Sequence, residues 1–292
     1  HTILSSTDAL AVDKRPDRLV VLGAGAIGVE FADFFDAFGS RVTIIEMLDR
    51  LLPAEDDDAS KALAKAFRRR KIAAKLGRRC TAVEKTTQGV SITIEPVDGG
   101  ESETIDADAL LVAIGVTPNI DRLFDDALQP AMTGDGHLAV DLDADRPTYQ
   151  TSVPGVHAVG DVVGRPWLAH VASAEATVCV EQLAGRTPPA IHYPAVPACT
   201  YCHPQVAGVG LTERDLVAQG RARGEDYIVG SYDLVAHGLA VAVDDNRGLV
   251  KLIADAADHR LLGAHLVGHQ VTECIGELAL ALRLGATVDD LA

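Results

Sequence analysis

The feature that most constrains this chain is the ten-residue run Leu19 to Gly28, in which four apolar residues meet three glycines spaced as Gly23-x-Gly25-x-x-Gly28. An apolar run without polar alternation reads as a strand buried on both faces. A helical stretch follows the glycines, and a second apolar run, Val42-Thr43-Ile44-Ile45, ends on Glu46. Strand, glycine turn, helix and strand compose a βαβ unit. Gly23 lets the chain turn tightly out of the strand. Gly25 lets the backbone approach a ligand, and Gly28 lets the helix pack close to the sheet. Free N–H groups and the dipole at the helix start favour a diphosphate. The unit therefore reads as a dinucleotide site lined by Gly23, Ala24, Gly25, Ala26, Ile27, Gly28 and Val29.

An isolated glycine pattern of this kind also fits an ordinary turn, but here the strand, helix, second strand and terminal acid all accompany it. Glu46 stands eighteen residues after Gly28, where a carboxylate accepts hydrogen bonds from ribose hydroxyls and repels a 2′-phosphate. Met47, Leu48 and Asp49 follow it with no base among them. NAD is favoured over NADP; Arg50, the nearest cation, leaves NADP open at this point.

The chain has 292 residues, 48% hydrophobic and 23% charged, enough for two domains with real cores. A formal net charge of −16 argues against nucleic acid or an anionic membrane as partner. No apolar run approaches the ~20 residues of a membrane span. The five cysteines, Cys80, Cys179, Cys199, Cys202 and Cys274, are odd in number and scattered, unlike a secreted disulfide framework. A reducing, cytoplasmic compartment is the default expectation. The chain opens on His1 rather than Met and closes on Ala292 inside a helical pattern, so both ends read as cuts.

Residues 1–16 read as a short extended lead-in, turning at Asp13-Lys14-Arg15-Pro16. Residues 17–115 read as the first domain. Within it Glu55-Asp56-Asp57-Asp58 opens a helix that closes on Arg68-Arg69-Arg70-Lys71, an ordering that complements the helix dipole. Cys80 to Glu84 and Val90 to Glu95 alternate as antiparallel strands do, and Ala109 to Ile114 is a continuous apolar strand stopping at Gly115. Residues 116–190 form a second region, with a strand over Val156 to Asp161 and a helix from Leu168 to Leu183. Prolines at 188, 189, 194 and 197 mark a boundary. In the third region, residues 195–292, strands are expected over Val206–Leu211, Tyr227–Leu234, Gly248–Ile253 and Arg260–Val267, and a helix over Thr272–Leu284. The fold class is α/β.

Other constellations carry less. Cys199-Thr200-Tyr201-Cys202 lies in an extended context after Pro197, whereas a redox pair of this spacing opens a helix. No second pair completes a zinc site. His259, His265 and His269 are irregularly spaced for a metal. Glu273 and Glu277, four apart on a helix, read as a solvated face. No catalytic residue is assigned within the chain, and no metal is expected.

The ordered set Gly23 to Glu30, Val42 to Arg50, Ala113-Ile114-Gly115-Val116-Thr117-Pro118-Asn119, Val159-Gly160-Asp161, Leu168-Ala169-His170, Val206 to Glu213 and Leu284 to Leu291 resembles the dihydrolipoyl dehydrogenases. These are flavoproteins of the pyridine nucleotide-disulfide oxidoreductase family, and the resemblance runs over essentially the whole chain. It implies a Rossmann-like NAD domain at 17–115, the second segment of a split FAD domain at 116–190, and most of a dimerisation domain at 195–292. It places Glu30 near the nicotinamide and flavin, and Cys80 in the adenine pocket. Gly115 lets NAD approach its strand end. Asp161 falls on the ribityl chain of FAD, and Trp167, Leu168, Ala169 and His170 fall against the flavin ring. It implies a homodimer that oxidises dihydrolipoamide, carried on the lipoyl domain of a 2-oxo acid dehydrogenase complex. Electrons pass to NAD through FAD and an active-site disulfide.

Four departures qualify this. The family's two redox cysteines, separated by four residues, do not occur here, nor does its first flavin glycine motif. Its catalytic His-Pro falls beyond Ala292, and Val116 stands where many relatives carry Arg. Another flavin disulfide reductase, of mercuric or glutathione reductase type, stays open, although Glu46 argues against the NADPH-dependent ones. A non-catalytic NAD-binding fragment also stays open.

Overall fold

A computed structural model describes residues 2–125, 128–143 and 147–292; His1, the first residue of the expected lead-in, lies outside them. The chain forms two compact units, His1–Gly115 with Pro197–Ala292, and Val116–Val196.

The first half of the larger unit contains β1 (Ile3–Leu4), α1 (Ser6–Ala9), β2 (Arg18–Leu22), α2 (Ala26–Ala37), β3 (Arg41–Ile45), α3 (Asp57–Arg70) and β4 (Ala73–Lys75). It continues through β5 (Arg78–Thr86), β6 (Gly89–Pro96), β7 (Glu103–Ala107) and β8 (Ala109–Val112). Strands β1, β8, β2, β3 and β4 lie side by side in that order, every pairing parallel. Strands β5, β6 and β7 form a separate antiparallel sheet.

The unbroken apolar runs follow from two cores. Leu19, Val21, Ile44 and Leu111 join Val29, Phe35, Leu63 and Phe67 of α2 and α3 in one. Val20, Ile45 and Leu110 join Val90, Ile92 and Ile94 of β6 in the other. Successive strand residues point to opposite faces, so only an uninterrupted apolar strand fills both. Helix α3 is capped by Asp56, whose carboxylate accepts the Asp58 N–H at 3.0 Å. It closes on Lys71 in a left-handed conformation.

Among its described residues the smaller unit holds one helix, α4 (Ala169–Leu183), and 3₁₀ turns at Gly160–Val163 and Tyr193–Ala195. The expected strand over Val156–Asp161 is not formed. Gly155 and Gly160, at φ +78° and +77°, bracket residues that make one isolated bridge, His157 to Gln150. Asp161 therefore stands in a 3₁₀ turn.

The larger unit resumes with β9 (Ala198–Thr200), β10 (Gln205–Gly210), α5 (Glu213–Ala218), β11 (Tyr227–Asp233), α6 (Gly238–Ala242), β12 (Leu249–Asp255), β13 (Leu261–Gly268) and α7 (Val271–Leu284). The sheet order is β11-β12-β13-β10-β9, antiparallel throughout. Ala207, Val209, Ala264 and Leu266 turn one face toward Ile275 and Leu278 of α7. On the opposite face Lys251, His265 and Gly208 stand in a row across β12, β13 and β10, and the start of α3 meets that row.

Candidate nucleotide site

The glycine turn sits at the carboxyl ends of β2, β3 and β8, where open parallel sheets bind ligands. Gly23 has φ +107°, and a Cβ there would overlap the Ala113 carbonyl. A Cβ on Gly28 would overlap the Gly23 carbonyl, so α2 is seated hard against the turn. Gly25 has no heavy atom within 4 Å of its missing Cβ, which leaves backbone open to a ligand. Ala24 and Val29 are buried beneath the turn, while Ala26 and Ile27 are exposed at the helix start.

Glu46 holds this turn directly. One carboxylate oxygen accepts the Ala24 N–H at 2.7 Å, and the other accepts the Leu48 N–H at 2.9 Å. Each oxygen keeps a further lone pair, so the carboxylate can brace the turn and still accept from a ribose. The Arg50 guanidinium pairs with Asp49 at 2.7 Å and with Asp57; its charge is already neutralised by carboxylates. Gly115, at φ +141°, follows β8 and also faces open space. Cys80 lies on β5, half-buried, with its thiol pushed up by burial. The Arg78 N–H, two residues before it, reaches the Glu46 carbonyl at 2.9 Å. Glu30 on α2 accepts the Tyr201 N–H at 2.7 Å.

In the smaller unit Asp161 is exposed in the first turn of its 3₁₀ helix. The preceding Gly160 N–H donates at 2.7 Å to Glu175, which is buried and also accepts the Tyr193 hydroxyl at 2.7 Å. Trp167 has the Arg165 guanidinium 4.2 Å from its ring centroid and stacks with the His137 ring. Its indole N–H is buried with no hydrogen-bond partner. Leu168 begins α4 without a side-chain cap, and Ala169 and His170 are its first, exposed residues.

Three anchors were not foreseen: Glu46 as brace of the turn, Glu175 behind Gly160, and Lys251. Lys251 is 1% exposed and donates to Asp56 at 2.7 Å, Asp58 at 2.7 Å and Glu213 at 2.5 Å. Burial pulls the Lys251 pKa down, but these three hydrogen bonds outweigh it and hold the amine charged. The acid run Glu55–Asp58 thus complements its helix and also supplies counter-charge to a buried lysine. Cys199 and Cys202 are free thiols; Cys202 is buried and donates to the Pro204 carbonyl at 3.1 Å. His259 pairs with Asp289 and His269 with Asp245, while His265 is buried elsewhere. No metal-binding group is found among the described residues, and no helix among them is long and apolar enough to cross a membrane.

The pattern of the pyridine nucleotide-disulphide oxidoreductases matches residues 1–176, and that of their dimerisation domain matches residues 196–292. The chain belongs to the pyridine nucleotide-disulphide oxidoreductase family. The family and the fold class expected from the motifs are both borne out. Among curated members, dihydrolipoyl dehydrogenase 3 of Pseudomonas putida is 40% identical over 290 residues, covering 99% of this chain and 60% of that protein. The dihydrolipoyl dehydrogenase of Chlorobaculum tepidum is 42% identical over 289 residues, covering 99% and 59%. Among solved members, LpdA from Mycobacterium tuberculosis superposes with a TM-score of 0.85 at 27% identity, over 99% of this chain and 60% of that one. The HOCl-induced flavoprotein disulfide reductase RclA from Escherichia coli gives 0.86 at 28%, over 98% and 62%. The chain thus spans about 60% of the length of the curated relatives it matches.

Proposed function

We propose that this chain is the NAD-binding part, the second flavin segment and much of the dimer-forming part of a dihydrolipoyl dehydrogenase. The parent enzyme would oxidise dihydrolipoamide with NAD⁺. Residues 17–115 hold NAD, residues 116–190 complete the FAD domain, and residues 195–292 form a homodimer surface. The observation that carries the reading is Glu46: an acid at the lip of the glycine turn, with the nearby Arg50 already paired to carboxylates.

The residues fit the cofactors. The open backbone at Gly25 and the tight seats of Gly23 and Gly28 suit a pyrophosphate. Gly23 through Val29, Glu30, Glu46, Cys80 and Gly115 would line NAD. Exposed Asp161, on a turn fixed by Glu175, offers a carboxylate to a polyol. Trp167, Leu168, Ala169 and His170 present an uncapped helix start to the ring. FAD, when bound, supplies a two-electron carrier between a disulfide and the nicotinamide. This chain's part is to bind, orient and select the nucleotide. A lipoyl domain is the expected partner and the cytoplasm the expected compartment.

Fluorescence titration of the purified chain should give NADH an affinity at least about tenfold above that for NADPH, roughly 1.4 kcal/mol. Equal affinities would overturn the role given to Glu46. The full-length product should reduce lipoamide with NADH. Reduction only of glutathione disulfide or mercuric ion would move the assignment to another member of the family.

A further inference from the structure

The row across β12, β13 and β10 carries one more buried pair. His265, 2% exposed, has its Nε2 3.0 Å from the Leu211 carbonyl. That acceptor fixes the proton on Nε2 and leaves Nδ1 with a lone pair. Nδ1 is buried and has no hydrogen-bond partner. Facing it at 4.0 Å is Oε2 of Glu55, from the loop that leads into α3, with a side chain only 12% exposed. Among the described residues nothing donates a hydrogen bond to the Glu55 carboxyl. Gly208 makes the room: a Cβ there would come within 2.6 Å of Glu55 Oε2 and 3.2 Å of His265 Nδ1. A largely buried carboxyl with no donor and a buried imidazole nitrogen with no partner are each costly alone. Together they need one proton, and a shift of about 1 Å brings them to hydrogen-bond distance.

We propose that Glu55 and His265 hold a single proton between them, Oε2 to Nδ1, as a clasp joining the start of α3 to the β10–β13 face. The Nε2 proton stays on the Leu211 carbonyl throughout. With one proton the pair is neutral overall, whether as acid and imidazole or as carboxylate and imidazolium. Burial favours that state at both groups, raising the carboxyl and lowering the imidazole. Asp56 beside Glu55 opposes a lone carboxylate, Arg214 only partly offsets it, and Cys199 also faces this carboxyl. Burial opposes a lone imidazolium at His265; Asp56 and Asp215 favour one, and Lys251 opposes it. Lys251 is itself neutralised by Asp56, Asp58 and Glu213. The nucleotide-binding half stays fastened to the sheet while pH varies, because the proton moves within the pair and does not leave it.

Linkage supplies the test. Burial holds the Glu55 carboxyl up to about 7 and holds His265 below its usual value. Unfolded, a free pair carries its one proton on His between roughly pH 4.3 and 6.5. Folded and unfolded wild type then bind equal numbers of protons in that window, and the pair contributes no pH dependence. Each single variant should unmask one partner. In H265Q the lone Glu55 makes stability fall as pH rises from about 4.5 to 7. In E55Q the lone His265 makes stability fall as pH drops below about 6.5. Either slope approaches a tenfold change in folding equilibrium per pH unit, and E55Q/H265Q should be flat again. Denaturant melts of the 292-residue chain from pH 4.5 to 8 read this out. Slopes of the same sign in the two single variants, or single variants parallel to wild type, would overturn the clasp. If H265Q does not fold, a wild-type minus E55Q difference that is constant with pH overturns it alone.

Discussion

Gly23 and Gly25 stand two residues apart and are glycine for different reasons. Gly23 carries φ +107° and abuts the Ala113 carbonyl, so its requirement belongs to the fold. Gly23→Ala should lower stability by about 2 kcal/mol or more, from backbone strain and overlap, as a shift in denaturation midpoint. Gly25 meets nothing, so the fold does not require glycine there, and the proposed site assigns that requirement to a ligand. Gly25→Ala should leave the midpoint within about 0.5 kcal/mol of wild type and weaken NADH binding. If Gly25→Ala binds NADH as wild type does, the pyrophosphate is not on this backbone. Glu46 joins both roles in the proposed site, because its carboxylate braces Ala24 and Leu48 and keeps lone pairs that a ribose could use. Glu46→Ala should weaken NADH binding by roughly 1–2 kcal/mol, about five- to thirtyfold. Unchanged affinity by calorimetry would remove the acid from the site.

At the scale of elements, α3 is fastened through its first turn. Lys251→Met would leave buried Asp56 without its cation, and Asp58 and Glu213 with only the exposed Lys61 and Arg223. It should cost about 3–5 kcal/mol in a denaturant melt. Lys61, 74% exposed and 3.7 Å from Asp58, should cost less than about 1 kcal/mol on the same change. Equal losses would mean that the burial of Lys251 carries no special weight. The pH limits follow by sign. The Asp56 pKa is pushed up by burial but held low overall by Lys251 and two N–H donors. Its contribution is present above an unfolded value near 3.9 and lost as pH falls through the folded one. The Lys251 pKa is raised, so its share is present below an unfolded value near 10.4 and lost as pH rises through the folded one. The βαβ unit and four of the five strands of the third region were legible, those four within two residues of their expected bounds, because periodicity and glycine punctuation are local; the three-residue β9, Ala198–Thr200, was not. Lys251 was not, because a lysine in a strand looks like any exposed cation until register places Asp56 opposite it, 195 residues away. Val156–Asp161 misled for the converse reason: a strand-like composition is bracketed by two glycines with positive φ that cut it short. The β4 strand, Ala73–Lys75, is too short and alanine-rich to carry a pattern.

At the scale of the whole molecule, binding and redox chemistry separate. The chain has five cysteines and no two of them are separated by four residues. The pair of nearest spacing, Cys199 and Cys202, is poorly placed for exchange. Burial pushes both thiols up, Cys202 strongly, and Cys202 is committed to the Pro204 carbonyl. The thiolate is the nucleophile in disulfide chemistry, and burial holds both sulfurs away from that form. The nucleotide turn, by contrast, is built wholly within the larger unit and needs no residue from elsewhere to hold its shape. The purified 292-residue chain should therefore bind NADH while catalysing no NADH-dependent lipoamide reduction, with or without added FAD. The check is NADH oxidation followed by absorbance, with lipoamide as acceptor, against a protein-free baseline. Turnover above that baseline that disappears in a C199S/C202S variant would show that this pair does the chemistry, and would overturn the reading of this chain as one that holds nucleotide without doing disulfide chemistry.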